Sequence, residues 1–142
     1  MIETVAVGTD GSETAAKAVA AALELAERYG ARLVFLSAFN GSTGAAAPRL
    51  SGPQHPEWAS NAAEQVERIL AVAEESAAER GIECSSAMAE GDPGEVLVGL
   101  AERHGADVLV VGSKGMERRV LGSVPNTVTH KAPCSVMIVK TT

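Results

Sequence analysis

Short, nearly continuous apolar runs alternate with longer stretches of helical period from one end of this chain to the other. Thr4 to Val7, Leu33 to Ser37, Cys84 to Ala89, Val108 to Val111 and Val136 to Val139 read as strands, each separated from the next by a segment of helical character. Strands that alternate with helices in this way build parallel β-α-β units, so the expectation is an α/β fold: one open, five-stranded parallel sheet with helices on both faces.

The helix boundaries carry their own signals. Ser12 reads as the N-cap of a first helix with Glu13 in its first turn, an apolar stripe of Ala15, Val19, Leu23 and Ala26, and a stop at Gly30. A second helix is expected from Trp58 to Arg80, with Ala63, Val66, Leu70, Ala73 and Ala77 at helical spacing and Gly81 as the left-handed terminator. Asp92, Pro93 and Glu95 read as N-cap, first helical residue and capping-box carboxylate of a third, which Gly105 ends. A fourth should start near Ser123 and run to about Lys131, before Pro133 forces extended chain. The stretch from Asn40 to Pro56 is rich in Gly, Ser, Ala and Pro without periodicity and reads as a long loop.

With 142 residues, 46% of them hydrophobic, the chain is expected to form one domain over residues 1–142 and to bury roughly two-thirds of its unfolded surface. A net charge of −6 opposes a nucleic-acid partner, because phosphate-backbone binders cluster Lys and Arg. No apolar run approaches the roughly 20 residues of a membrane helix, and Met1 to Gly8 is a short apolar strand without a basic leader. The expectation is a cytoplasmic protein with no membrane partner. Cys84 and Cys134 are far apart and read as reduced core residues rather than a redox pair.

Two loops stand out for glycine and hydroxyl content: Gly8-Thr9-Asp10-Gly11-Ser12 after the first strand, and Gly112 to Ser123 after the fourth. Open parallel sheets bind ligands at the carboxyl ends of strands where strand order reverses. If the two loops serve one ligand, strands one and four are neighbours and the order is 3-2-1-4-5. Gly122 and Ser123 stand at a helix N-terminus, which favours an anion, and Gly112 and Gly115 would let main chain approach closely. Such glycines also serve plain tight turns, and no Gly-Lys-Ser/Thr closes the loop as in a Walker A sequence. Lys114, Arg118 and Arg119 could neutralise phosphates or simply face solvent.

Val5-Ala6-Val7-Gly8-Thr9-Asp10-Gly11-Ser12, Glu90-Gly91-Asp92-Pro93, Val110-Val111-Gly112-Ser113-Lys114-Gly115, Leu121-Gly122-Ser123-Val124-Pro125-Asn126 and Ala132-Pro133-Cys134-Ser135-Val136 together resemble the universal stress proteins over nearly the whole chain. The resemblance implies a Rossmann-like, adenine nucleotide alpha hydrolase-like fold. All three glycines and the Ser of the nucleotide-binding branch are present, although Met116 to Leu121 makes the second gap shorter than is usual there. It implies ATP as ligand, or AMP or cyclic AMP, with any Mg2+ arriving on the phosphates. By the same resemblance, Asp10 would contact the adenine or ribose region, Ala38 would line the base by its main chain, and Gly112 and Ser113 would lie near the ribose, while Gly115, Gly122, Ser123 and Val124 would hold the phosphates; Gly8, Thr9 and Val111 complete the expected nucleotide-binding set.

Hydrolysis needs a positioned water and a base or cation, and no convincing set is present. Glu117 and Arg118 read as a surface pair, His104 and His130 as helix-end residues, and His55 has no evident partner; none has metal-ligand spacing. The leading reading is a nucleotide-gated regulator in the stress response, with a slow ATP hydrolase or phosphotransferase and a nucleotide-free interaction module as alternatives. Val136-Met137-Ile138-Val139 would leave an apolar sheet edge exposed, so a homodimer is expected through antiparallel pairing of fifth strands, in agreement with what the resemblance implies.

Overall fold

The computed structural model describes residues 1–40, 55–113 and 122–141, with residues 55–60 as backbone alone. The elements follow as β1 (Thr4–Gly8), α1 (Glu13–Tyr29), β2 (Arg32–Phe39), α2 (His55–Glu79), β3 (Cys84–Glu90), α3 (Pro93–Arg103), β4 (Val108–Gly112), α4 (Ser123–Lys131) and β5 (Ser135–Val139). All strand pairs are parallel and the order is β3-β2-β1-β4-β5, as the loop chemistry required.

The pleat divides the core in two. Val5 and Val7, Leu33 and Phe35, and Val108 and Val110 pack under α1 and α2, whereas Ala6, Val34, Leu36, Leu109 and Val111 pack under α3 and α4. Strands covered on both faces need apolar residues at every position, the reason these runs are continuous rather than alternating. Phe35, Leu33, Leu36 and Leu109 are completely buried, and each contributes about 1.5–3 kcal/mol over exposure.

The ends of β1 and β4 are stitched together by one carboxylate. Asp107 Oδ2 accepts the backbone N–H of Glu3 (2.9 Å) and Thr4 (3.0 Å), while the Asp107 N–H donates to the Thr4 carbonyl at 2.8 Å. These donors hold the Asp107 carboxyl below its ordinary range.

Several local expectations differ from the structure. α1 buries Ala18, Ala22, Leu23 and Ala26, with Ala15 and Val19 only half-buried: in a helix this rich in alanine, packing rather than sequence chooses the stripe. α2 begins at His55, three residues before Trp58, because proline is tolerated in a helix's first turn and Pro56 continues it. The rest of the expected Asn40 to Pro56 loop, 41–54, lies outside the described residues. Asp92 caps α3 through a bond from the Glu95 N–H at 3.1 Å, but the Glu95 carboxylate pairs with Lys131 of α4 instead of folding back. The two cysteines are free, as expected, and half-buried against the two core clusters rather than enclosed within them; burial pushes both thiols up, with help from Glu74 at Cys84 and Asp107 at Cys134.

Candidate functional site

Because every strand runs the same way, the carboxyl ends of β1, β2 and β4 lie at one end of the sheet, and β1 and β4 are neighbours there. A cleft of about 430 Å³ lies there. Thr9, Ser37, Leu97, Val111 and Pro125 form its buried base, and Asp10, Pro93 and Ser123 its exposed rim.

The first loop is held rigid by its own short side chains. The Thr9 N–H donates to the Leu36 carbonyl at 2.9 Å, and the buried Ser37 hydroxyl donates to the Thr9 carbonyl at 2.7 Å, tying the loop to β2. Thr9 Oγ1 accepts the Gly11 N–H (3.1 Å), Asp10 Oδ1 accepts the Ser12 N–H (2.9 Å), and Ser12 Oγ caps α1 by accepting from Ala15 (3.1 Å). Gly11 makes the turn at φ +80°, and a Cβ there would stand 2.9 Å from the Ile69 side chain. At Gly8 a Cβ would come within 2.7 Å of Leu97 Cδ1, so the glycine is what lets α3 close the cleft's apolar wall.

The start of α4, which packs beside α3 on the same face of the sheet, also lines the cleft. Its N-cap, Gly122, is extended at φ −65°, ψ 172° and offers no capping side chain, whereas α1 and α3 are capped by Ser12 and Asp92. Asn126 is the first residue to bond back, to the Gly122 carbonyl at 3.0 Å, and Pro125 has no N–H. The helix therefore leaves the N–H groups of Gly122, Ser123 and Val124 unused by its own ladder, and all three residues line the cleft. Donors at the positive end of a helix favour an anion.

Of the residues singled out from sequence, Gly8, Thr9, Asp10, Ala38, Val111, Gly112, Gly122, Ser123 and Val124 line this one cleft. Ser113 is different: it is fully buried behind the cleft and its hydroxyl accepts the Thr141 N–H at 3.0 Å. Gly115 lies outside the described residues, with Lys114, Glu117, Arg118 and Arg119. Ser12, the last residue of the first glycine-rich loop, lines the cleft too, and Thr14, Ala15, Ser37, Pro93, Leu97 and Pro125 also line it without having been expected as ligand contacts. Most belong to helices, and only their closeness to strand ends could have marked them.

His104 and His130 are not among the residues that line the cleft. His130 Nδ1 lies 2.8 Å from the Asn126 carbonyl, an acceptor, so that nitrogen carries the proton and the ring closes the last turn of α4. The His104 carbonyl accepts from Arg32 Nη2 at 2.9 Å. Among the described residues no three His, Cys, Asp or Glu side chains gather as a metal site, and no helix is long and apolar enough to cross a membrane.

A family model described as the universal stress protein family matches residues 1–140. The chain is 32% identical to universal stress protein YxiE of Bacillus subtilis (strain 168), over 99% of this chain and 100% of that protein. It is 35% identical to universal stress protein Rv1636 of Mycobacterium tuberculosis (strain ATCC 25618 / H37Rv), over 99% and 97%. Among solved structures, a universal stress protein in complex with cAMP is similar at a TM-score of 0.75 and 31% identity, covering 99% of this chain and 98% of that one. On a match of this length, together with the sheet order and the loops that build the cleft, the chain belongs to the universal stress protein family.

Proposed function

We propose that this protein binds an adenine nucleotide in the cleft between β1, β2 and β4, and acts as a homodimeric, nucleotide-responsive regulator rather than a catalyst. The observation that carries the reading is that one cleft is lined by two chemistries: the apolar Ala38, Leu97 and Val111 together with Asp10, suited to a base and ribose, and the uncapped N-terminus of α4, whose N–H groups suit phosphate. In this reading Gly8, Thr9, Asp10 and Ala38 face the nucleoside, Gly112 lies by the ribose, and Gly115, Gly122, Ser123 and Val124 hold the phosphates.

ATP is the ligand that the loop motifs point to, and a divalent ion such as Mg2+ would arrive with its phosphates, since the described residues gather no metal site of their own. Cyclic AMP is the second reading, favoured by the similar universal stress protein solved in complex with cAMP and by the few N–H donors of the first α4 turn, where Pro125 contributes none. One domain, residues 1–142, would carry the whole activity in the cytoplasm.

Calorimetric titration with ATP, AMP and cyclic AMP, each with and without Mg2+, tests this, with Gly122→Val as the blocked variant. Its backbone, at φ −65° and ψ 172°, is one that valine also adopts, and the added side chain is expected to obstruct phosphate at the α4 N-terminus. Binding that is lost in Gly122→Val supports the site; absence of binding to all three leaves the nucleotide-free interaction module as the better account.

A further inference from the structure

Among the described residues the buried polar side chains are Thr4, Thr9, Ser37, Ser113 and Thr141. Thr4 accepts from Arg32, and Thr9 and Ser37 hold the first loop of the cleft. Ser113 and Thr141, 0% and 4% exposed, have no part in nucleotide contact as described above, yet burying two hydroxyls is costly unless they bond.

They bond to each other and to the segment after β5. Ser113 Oγ accepts the Thr141 N–H at 3.0 Å and lies 3.3 Å from Thr141 Oγ1. The Ser113 N–H donates to the Val139 carbonyl at 2.9 Å, and Lys17 of α1 reaches the Thr141 carbonyl at 3.4 Å. The Thr141 methyl also backs the cleft: a Cβ on Gly112 would meet Thr141 Cγ2 at 3.1 Å and the Thr14 carbonyl at 3.7 Å. Gly112 and Thr14 both line the cleft.

We propose that Ser113 and Thr141 form a latch in which the segment after β5 fixes the end of β4, making both residues positioning residues for the Gly112 wall of the nucleotide cleft. The hydroxyl of Ser113 then acts through Thr141 and not on the ligand. The proposal rests on the nucleotide-binding reading for its second consequence only; the latch itself exists in the free protein.

Two readouts test it on the full chain. Amide hydrogen exchange of the nucleotide-free protein is compared for wild type, Thr141→Val, which keeps the Cγ2 methyl and puts a second methyl in place of the hydroxyl, Thr141→Ser, which keeps the hydroxyl and removes the methyl, and Ser113→Ala, which strands the Thr141 N–H. Losing one net hydrogen bond costs about 0.5–1.5 kcal/mol and stranding a buried donor about 1–3. Exchange at Gly112, Ser113 and Thr141 is therefore expected to accelerate several-fold in Thr141→Val and ten-fold or more in Ser113→Ala. Thr141→Ser should stay near wild type, and so should β1 and β2 in every variant. Unchanged exchange at those amides in Ser113→Ala, or acceleration spread evenly over the sheet, overturns the latch. Calorimetry with ATP and cyclic AMP is the second readout, with affinity expected to fall several-fold in Thr141→Val and to recover in Thr141→Ser. Equal affinity in all variants overturns the positioning role, whereas a wild type that binds neither nucleotide overturns the proposed function and leaves the exchange result to decide the latch.

Discussion

Gly11 and Gly30 both sit at positive φ, +80° and +63°, but only Gly11 is crowded, with Ile69 atoms 2.9 Å from where a Cβ would stand and nothing within 4 Å of the same point at Gly30. Gly30→Ala should therefore cost backbone strain alone, about 1–2 kcal/mol. Gly11→Ala adds an overpacking cost of about 1–3 kcal/mol, so in urea unfolding it should be the more damaging of the two. Equal losses would mean that Ile69 yields freely and does not brace the first loop. At this scale Gly8, Asp10, Gly112 and the N–H donors of Gly122 and Ser123 were legible in sequence because each is tied to a local turn or helix start. Ser113 was not: its partner, Thr141, is 28 residues away, and no local pattern distinguishes a hydroxyl facing a ligand from one facing another strand's extension.

Elements here are joined by a few polar contacts of unequal worth. The Glu95–Lys131 pair links α3 to α4 with both side chains about half exposed, and such pairs contribute about 0–1 kcal/mol. Asp107 acts on the backbone of a neighbouring strand, and its titration is readable. Its folded pKa is lowered from an ordinary 3.8 by the Glu3 and Thr4 N–H groups. The linked stability is thus fully present above that ordinary value and is lost as pH falls through the lower, folded one. The stability gap between wild type and Asp107→Asn, measured by denaturant at a series of pH values, should be constant above about pH 5 and narrow as pH drops below about 4. A gap that does not change with pH would mean that the carboxylate's charge contributes nothing. The element types, their order and most of their ends could be read from periodicity and caps. What escaped was the facing of α1, since alanine at successive positions leaves several stripes equally apolar, and the start of α2, because the composition that marks a loop continues to Pro56 although a helix's first turn accepts proline.

For the whole molecule, the order β3-β2-β1-β4-β5 brings Gly8 and Asp10 from one half of the chain and Gly112 and Gly122 from the other to one cleft, a juxtaposition that follows from the sheet order argued from sequence. The same order leaves β5 at an edge, with Met137 38% exposed. If two copies pair along that edge, Met137→Lys should yield monomers by light scattering, because it puts a charge into an apolar strand contact; an unchanged dimer would place the interface elsewhere. Assembly is a property of surfaces that one chain does not display in full, whereas the cleft is formed within it. The direct test of the cleft is therefore an amide chemical-shift titration of uniformly 15N-labelled protein with ATP and, separately, cyclic AMP. Saturable shifts should concentrate at Gly8, Asp10, Ala38, Gly112, Ser123 and Val124. Saturable shifts centred on other residues, or none with either nucleotide, would contradict adenine-nucleotide binding at the junction of β1 and β4.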